Sequence, residues 1–305
     1  MITTQRATLC LLLAVATPSV ARTPEDMDRP FDQYSWVTTH NAFTSNGNVP
    51  NQSQTIATQL AEGVRGLMLD LHYDYGRVRL CHKVCTSPSS VAFADLLNDT
   101  LLPYLDDNPD AIVTLQLEDE TSAAQLTEEL ARAPGLAGRT FQPDTWDTPA
   151  WPTYRQLRDR GQRVLIFSLN TNNTGDFRVG DGAVSVMSSR NYTVENYWSL
   201  GPPVLLHDYG CVSRWADEGR WLNRRTIEGK PGWRPLFTMN QFHDLPVRWH
   251  ADNDNDFESL SRRYLENCRP VARRKPNFVA VDFHEVGETA KFVEWLTLSA
   301  PDEFR

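Results

Sequence analysis

Two histidines, His40 and His82, and three oxygen-bearing side chains, Asn41, Asp70 and Glu118, stand at or just past the ends of short apolar runs. An imidazole titrates near neutrality, so one such ring takes a proton and a second returns it. Carboxylates and an amide beside them are hard oxygen donors of the kind calcium prefers. Two histidines and a carboxylate converging on one rim point to cleavage of a phosphodiester, with one histidine as base and the other as acid. Asp282 closes a later apolar run, Asn277 to Phe283. A carboxylate there could fix a histidine tautomer, as acids do in catalytic triads.

The elements that must hold these groups read as strands. One runs from Trp36 to His40, a second from Gly63 to Leu71, and Leu80-Cys81-His82 follows a turn around Asp74 to Gly76. Another covers Ala111 to Leu117 and ends on Glu118-Asp119. Side chains alternate between the two faces of a strand. Gly66, Met68, Asp70 and His72 therefore share one face, and Leu67, Leu69 and Leu71 the other. By the same count Thr114, Gln116 and Glu118 oppose Val113, Leu115 and Leu117. The aliphatic faces should pack under helices, so that Asp70 and Glu118 point inward. Apolar strands with polar tips are the pattern of a parallel β/α barrel, whose active sites lie at the C-terminal ends of the strands.

Helices are expected over 51–62, 89–106, 122–132 and 154–160, with a strand over 163–170. From 171 to 234 the pattern weakens into Gly-, Asn-, Trp- and Pro-rich sequence, with strands expected near 183–187 and 204–207. Strands return at 236–240 and 277–283, and after Gly287 a helix closes the chain near Leu298. No repeat or linker divides this pattern, and a barrel of about 250 residues fits the length as one domain.

The chain has 305 residues, 40% hydrophobic and 23% charged, with a formal net charge of −9. That sign gives no basis for binding nucleic acid, which favours basic surfaces, nor for strong adsorption to anionic lipid. Residues 1–21 read as a signal peptide, with Arg6, a short apolar run from Ala7 to Ala16 and the small-residue site Ser19-Val20-Ala21. The domain then covers 22–305 and the protein is secreted. Cleavage removes Cys10 and leaves Cys81, Cys85, Cys211 and Cys268, an even set for which three disulfide pairings exist. Cys81–Cys85 with Cys211–Cys268 is the favoured one. Glycosylation sequons stand at Asn51, Asn98, Asn172 and Asn191.

Taken in order, His40-Asn41, the Gly63 to Asp70 strand with its GxRGxxLD pattern, His82 and Glu118-Asp119 resemble the X region of phosphatidylinositol-specific phospholipases C. The clear resemblance covers residues 34–120, with a second island at the strand ending in Asp282, and it is to the small secreted single-domain type. It implies a TIM-type (β/α)8 barrel, possible irregularities of closure included. It implies that His40 removes the proton of the inositol 2-hydroxyl, that the freed oxygen attacks phosphorus, and that His82 protonates the departing diacylglycerol oxygen. It also implies a calcium ion held by Asn41, Asp70 and Glu118. Met68 departs from the pattern, standing where calcium-dependent members carry a further acid. The arginine that metal-independent bacterial members carry in place of Asp70 is absent too.

Lys83, His72, Arg65 and Asn240 are the candidate substrate contacts, Arg65 doubling as a structural partner inside its strand. His243, Tyr209 and Trp249 are further rim candidates. The implied partner is a phospholipid or inositol phosphodiester, met by transient contact with a membrane surface. Phosphodiesterases acting on glycerophosphodiesters or sphingolipids favour a closely spaced Glu-x-Asp pair, which Met68 interrupts. A third reading is a secreted binding protein that keeps the barrel with impaired catalysis.

Overall fold

The structure, a computed structural model, describes residues 24–45, 49–82, 85, 90–202 and 207–299. Its strands are β1 (Trp36–Thr39), β2 (Gly66–Asp74), β3 (Arg77–Leu80), β4 (Val113–Asp119), β5 (Val164–Ser168), β6 (Gly175–Val179), β7 (Gly182–Ser188), β8 (Thr193–Glu195), β9 (Leu236–Gln241) and β10 (Phe278–Val281). The helices are α1 (Ile56–Ala61), α2 (Phe93–Leu96), α3 (Leu102–Asp107), α4 (Ala123–Leu130), α5 (Tyr154–Asp159), α6 (Ser189–Tyr192), α7 (Arg248–Asp254), α8 (Phe257–Arg262), α9 (Arg269–Ala272) and α10 (Thr289–Leu298). β3 and β6 pair antiparallel with β2 and β7. The other eight strands of this ten-stranded sheet run parallel in the order β7-β5-β4-β2-β1-β10-β9-β8, a TIM-type barrel. Among the described residues no strand pairing joins β7 to β8, and α6 bridges that seam.

Local sequence accounts for these elements. Ser122 and Gln125, and likewise Thr153 and Gln156, form reciprocal capping boxes that start α4 and α5. Gly66 lies where β1 and β2 approach so closely that a Cβ would collide with the Thr38 side chain. Tyr75 and Gly76, with φ of 48° and 73°, make the two-residue turn between β2 and β3. Positive φ at both positions suits the right-handed twist of a hairpin.

Two cores hold the barrel. The outer one packs Leu67, Leu69 and Leu71 of β2 and Val113, Leu115 and Leu117 of β4 beneath the helices, as the alternation expects. The inner one stacks Trp36, Leu165, Phe167, Met187, Leu236 and Phe278 inside the barrel. An aromatic layer that includes Phe31, Tyr34, Trp151 and Trp233 continues it. Burial of this kind contributes about 25 cal/mol for each Å² of apolar surface.

Several elements differ from the sequence reading. Residues 80–82 do not end a barrel strand, because β3 is the return arm of a hairpin. Of the strand expected at 204–207, residues 204–206 lie outside the described residues, and the parallel strand beside β9 is β8, which starts eleven residues earlier in the chain. β6 and the run of helices from α7 to α9 were not expected, since their apolar positions are spaced by tertiary contacts and not by one clear period.

Candidate active site

The C-terminal ends of the parallel strands surround a cavity of about 520 Å³. His40 follows β1, and its backbone N–H continues the ladder by donating to the Val281 carbonyl of β10 at 3.0 Å. That register brings Asp282 beside it: His40 Nδ1 lies 2.9 Å from Asp282 Oδ1. A carboxylate accepts, so Nδ1 carries the proton and Nε2 remains as the basic nitrogen. The ring is stacked on Phe242, with centroids 3.7 Å apart and planes 5° from parallel. Gln52 donates to both the His40 carbonyl at 2.9 Å and the Val281 carbonyl at 3.0 Å, tying the two strand ends together.

Asn51 completes this bracket. Its amide donates to Asp282 Oδ1 at 3.0 Å and its carbonyl oxygen accepts from Asn41 at 3.3 Å and from Thr44 at 3.1 Å. Asn51 is 5% exposed, so its sequon is closed to glycosylation in the folded protein. Asn41 sits at φ 43°, a left-handed conformation that asparagine tolerates better than most residues.

The opposite wall carries charge. Asp70 and Glu118 are register partners on β2 and β4. Burial and the neighbouring Glu118 charge push the Asp70 carboxyl up to about 7. Arg214 reaches in from the long connection after β8, with Nη2 3.4 Å from Glu118 Oε2 and Nη1 3.1 Å from Glu195 Oε1. The carboxylates, Glu195 foremost, hold the Arg214 guanidinium firmly in its charged form. Met68 and Gln116 line the same inner face. His82, exposed, lines the mouth, and the backbone N–H of Cys81 beside it donates to the Asp70 carbonyl at 3.3 Å. The Cys81–Cys85 and Cys211–Cys268 disulfides are both formed.

The cavity thus gathers His40, Asn41, Asp70, Glu118 and His82, with Asp282 behind His40. It does not gather three of the four candidate substrate contacts, Arg65, His72 and Asn240. Arg65 is buried and spends Nη1 on the carbonyls of Leu60 at 3.0 Å and Val64 at 2.8 Å, holding the end of α1. His72 pairs with Arg79 on the outward part of the β2–β3 hairpin, beyond the cavity. Asn240 is fully buried and donates to Glu195 at 2.8 Å, which makes it a support for the wall and not a rim group. Lys83 lies outside the described residues. Asp119, next to Glu118, is a structural cap, accepting from the Thr121 hydroxyl at 2.7 Å and from Asn173 at 2.7 Å.

Sequence reasoning missed Asn51, Gln52, Phe242, Glu195 and Arg214. The first two were legible only as an Asn-Gln pair ahead of a helix. Arg214 gave no signal, because nothing in its Trp-rich surroundings fixes where the loop folds back.

The PI-PLC X family model, described as PI-PLC X 1, matches residues 27–194, more than half of the chain. A PI-PLC X domain-containing protein of Arabidopsis thaliana is 29% identical over 272 residues, covering 84% of this chain and 59% of that relative. PI-PLC X domain-containing protein 1 of Arthroderma benhamiae is 28% identical over 284 residues, covering 88% and 86%. A protein of the same fungus named as an uncharacterized secreted protein is 27% identical over 277 residues, covering 85% and 58%. The chain therefore spans about three-fifths of the Arabidopsis protein and of the secreted one. Among solved structures, the phosphatidylinositol-specific phospholipase C of Listeria monocytogenes superposes with a TM-score of 0.57 at 14% identity, covering 91% of this chain and 96% of that one. That of Staphylococcus aureus does so with 0.53 at 9% identity, covering 90% and 95%. These two share the barrel fold.

Proposed function

The chain belongs to the PI-PLC X family, and from that premise we propose a secreted phosphoric diester hydrolase or lyase acting on phosphatidylinositol or a glycosylated relative. The observation that carries this reading is the 2.9 Å contact between His40 Nδ1 and Asp282 Oδ1 at the wall of the cavity. It leaves His40 Nε2 to take the proton of the inositol 2-hydroxyl. The freed oxygen attacks phosphorus, and the bond to the diacylglycerol oxygen breaks as His82 gives that oxygen a proton. The products are a cyclic inositol phosphodiester and diacylglycerol. Asp282 holds the His40 ring and balances the imidazolium formed, and the Phe242 stack fixes its plane. General acid–base catalysis of this kind contributes about 10²–10⁴-fold.

Negative charge on the phosphate needs a positive partner. Arg214 is one, since its guanidinium already spans Glu118 and Glu195 across the cavity. Calcium held by Asn41, Asp70 and Glu118 is the second, and when bound it supplies countercharge to the phosphate oxygens. The donor set fits it, being all oxygen from three strand ends. Burial first, and the Glu118 charge second, raise the Asp70 carboxyl to about 7, so a bound cation would favour its ionised form. Met68 withholds a third carboxylate, so the affinity is weak and suits a medium rich in calcium.

Secretion is supported by the signal-like residues 1–21, the two disulfides and the secreted relative. No helix among the described residues is long and apolar enough to cross a membrane. Val49 and Leu245, on the cavity rim, and Trp249 are exposed apolar side chains. They support transient contact with a lipid surface.

The test is turnover of phosphatidylinositol, phosphatidylcholine, sphingomyelin and a glycerophosphodiester, each with calcium and with chelator. The proposal expects release of diacylglycerol from phosphatidylinositol alone, reduced by chelator. Cleavage of sphingomyelin or of the glycerophosphodiester in preference would overturn the substrate assignment, and no turnover of any of the four would overturn the enzyme reading.

A further inference from the structure

Behind the His40 wall three side chains from separate segments meet: His207 from the long connection, His243 just after β9, and Asp254 at the end of α7. Their ligand atoms all lie within 4.8 Å of one another. His207 Nε2 is 2.5 Å from Asp254 Oδ1, and His243 Nε2 is 3.1 Å from Asp254 Oδ2. Asp254 is 4% exposed and His243 5%. We propose that these three residues bind a transition-metal ion of the zinc class, at a site distinct from the oxygen donors of the cavity.

The hydrogen bonding around His243 carries the argument. Its Nδ1 lies 2.8 Å from the Gly201 carbonyl oxygen, which can only accept, so Nδ1 holds a proton. In the neutral ring Nε2 is then a lone pair. In that neutral tautomer it faces a carboxylate oxygen 3.1 Å away with no proton between them. A buried lone pair set against a buried anion is unfavourable unless something positive stands between them. A proton does this when the ring is charged and paired with Asp254, and a metal ion would do it in the proton's place; a ring N–H donating to a backbone carbonyl is the usual outer support of a ligating histidine. The His207 ring is oriented in turn by stacking on Tyr209, with planes 9° apart.

Two imidazoles and one carboxylate select among metals. Calcium and magnesium prefer oxygen cages, whereas zinc takes nitrogen and carboxylate ligands at about 2.0–2.2 Å in a tetrahedron. Such bonds put neighbouring ligand atoms about 3.3 Å apart. His243 and Asp254 are already near that spacing, and His207, half-buried and on a loop, is the one that must withdraw by less than about 1 Å. Three protein ligands leave a fourth position for water.

The site would brace the active site from behind. His243 follows Phe242, the ring under His40. Asn255 follows Asp254, and its amide donates to the Asp282 carbonyl at 2.8 Å. None of the three ligands is assigned proton transfer in the proposed reaction, so their role is positioning.

The test uses whole protein stripped with chelator, then titrated with cobalt(II), whose visible absorption reports tetrahedral nitrogen and oxygen ligation. One equivalent of cobalt should give the band, zinc should abolish it, and excess calcium should leave it. Asp254→Asn and His207→Gln should each lose the band, whereas Asp70→Asn should keep it, which separates this site from the cavity. Zinc at a hundred times its Kd should raise the Tm of wild type by roughly 5 °C and that of Asp254→Asn not at all. Wild type that gives no band and no Tm shift would overturn the proposal and leave the cluster as a protonated histidine paired with Asp254. A band kept by Asp254→Asn, or lost in Asp70→Asn, would overturn the ligand assignment.

Discussion

Two halves of the barrel face one cavity and supply it in different ways. From β1 to β5 the functional groups sit on or just past strand tips, as His40, Asn41, Asp70 and Glu118 do. From β6 to β10 strand ends again give Glu195, Phe242, His243 and Asp282, but Arg214 comes from deep in the long stretch between β8 and β9. A strand tip is placed by a period of two and by its neighbours in the ladder. A loop residue is placed only by what the loop packs on, which is also why loops carry so much of the variation in function. In the proposed mechanism the first half therefore contributes the acid–base groups and two carboxylates, and the second the Arg214 guanidinium and the groups that orient His40.

The sharpest way to break this division is to remove the proton carriers of the first half. His40→Ala and His82→Ala should each lower kcat by about 10²–10⁴-fold while the far-UV spectrum and unfolding transition stay those of a folded barrel. A folded variant that keeps near-full turnover would move the proton transfer elsewhere.

The second half is tested next. Arg214→Ala should lower kcat by about 10²-fold, the scale for losing one electrostatic contact to developing charge. Arg214→Lys should recover part of that loss, since it keeps the charge but not the fork that spans Glu118 and Glu195. Equal turnover in all three proteins would mean that the loop contributes shape alone.

Asp70 joins the halves, and its effect is smaller and opposite in sign on stability and activity. Burial and the neighbouring Glu118 charge push its carboxyl up to about 7, above the ordinary 3.8. The native state is thus favoured by the protonated form, a contribution fully present below about pH 4 and lost as pH rises through about 7. At pH 8 without calcium, Asp70→Asn should be the more stable protein, by on the order of 4 kcal/mol, read from denaturant unfolding. In turnover the same variant should need more calcium, and Met68→Glu less. For wild type the calcium requirement should fall as pH rises through about 7, because the ligand must be ionised. Identical calcium curves for the three proteins would remove the metal from the cavity.

Much of the first half was legible in the sequence for a definite reason. Leu67, Leu69 and Leu71 alternate with Met68 and Asp70, and one face of a buried strand leaves no choice of register. The return of β3 was misread because a two-residue turn at Tyr75 and Gly76 looks, in sequence, like any short break between strands. Arg65 reads from its strand as a structural partner as well as a candidate substrate contact, and the structure has it clamping the backbone carbonyls at the end of α1. Asn240 is the same case in reverse: a polar residue at a strand end that turns inward to hold Glu195. Arg214, Phe242 and the His207–His243–Asp254 cluster depend on contacts across long sequence separations, which no local pattern encodes.

The central claim is that the cavity cleaves a phosphodiester by attack of the neighbouring hydroxyl, with His40 as base. It is tested most directly by following phosphorus NMR of wild-type protein with phosphatidylinositol and with its 2-deoxy analogue. The account predicts a cyclic inositol phosphate from the first and no reaction of the second. Cleavage of the 2-deoxy lipid at a comparable rate, or an open-chain phosphate formed with no cyclic intermediate, would contradict it.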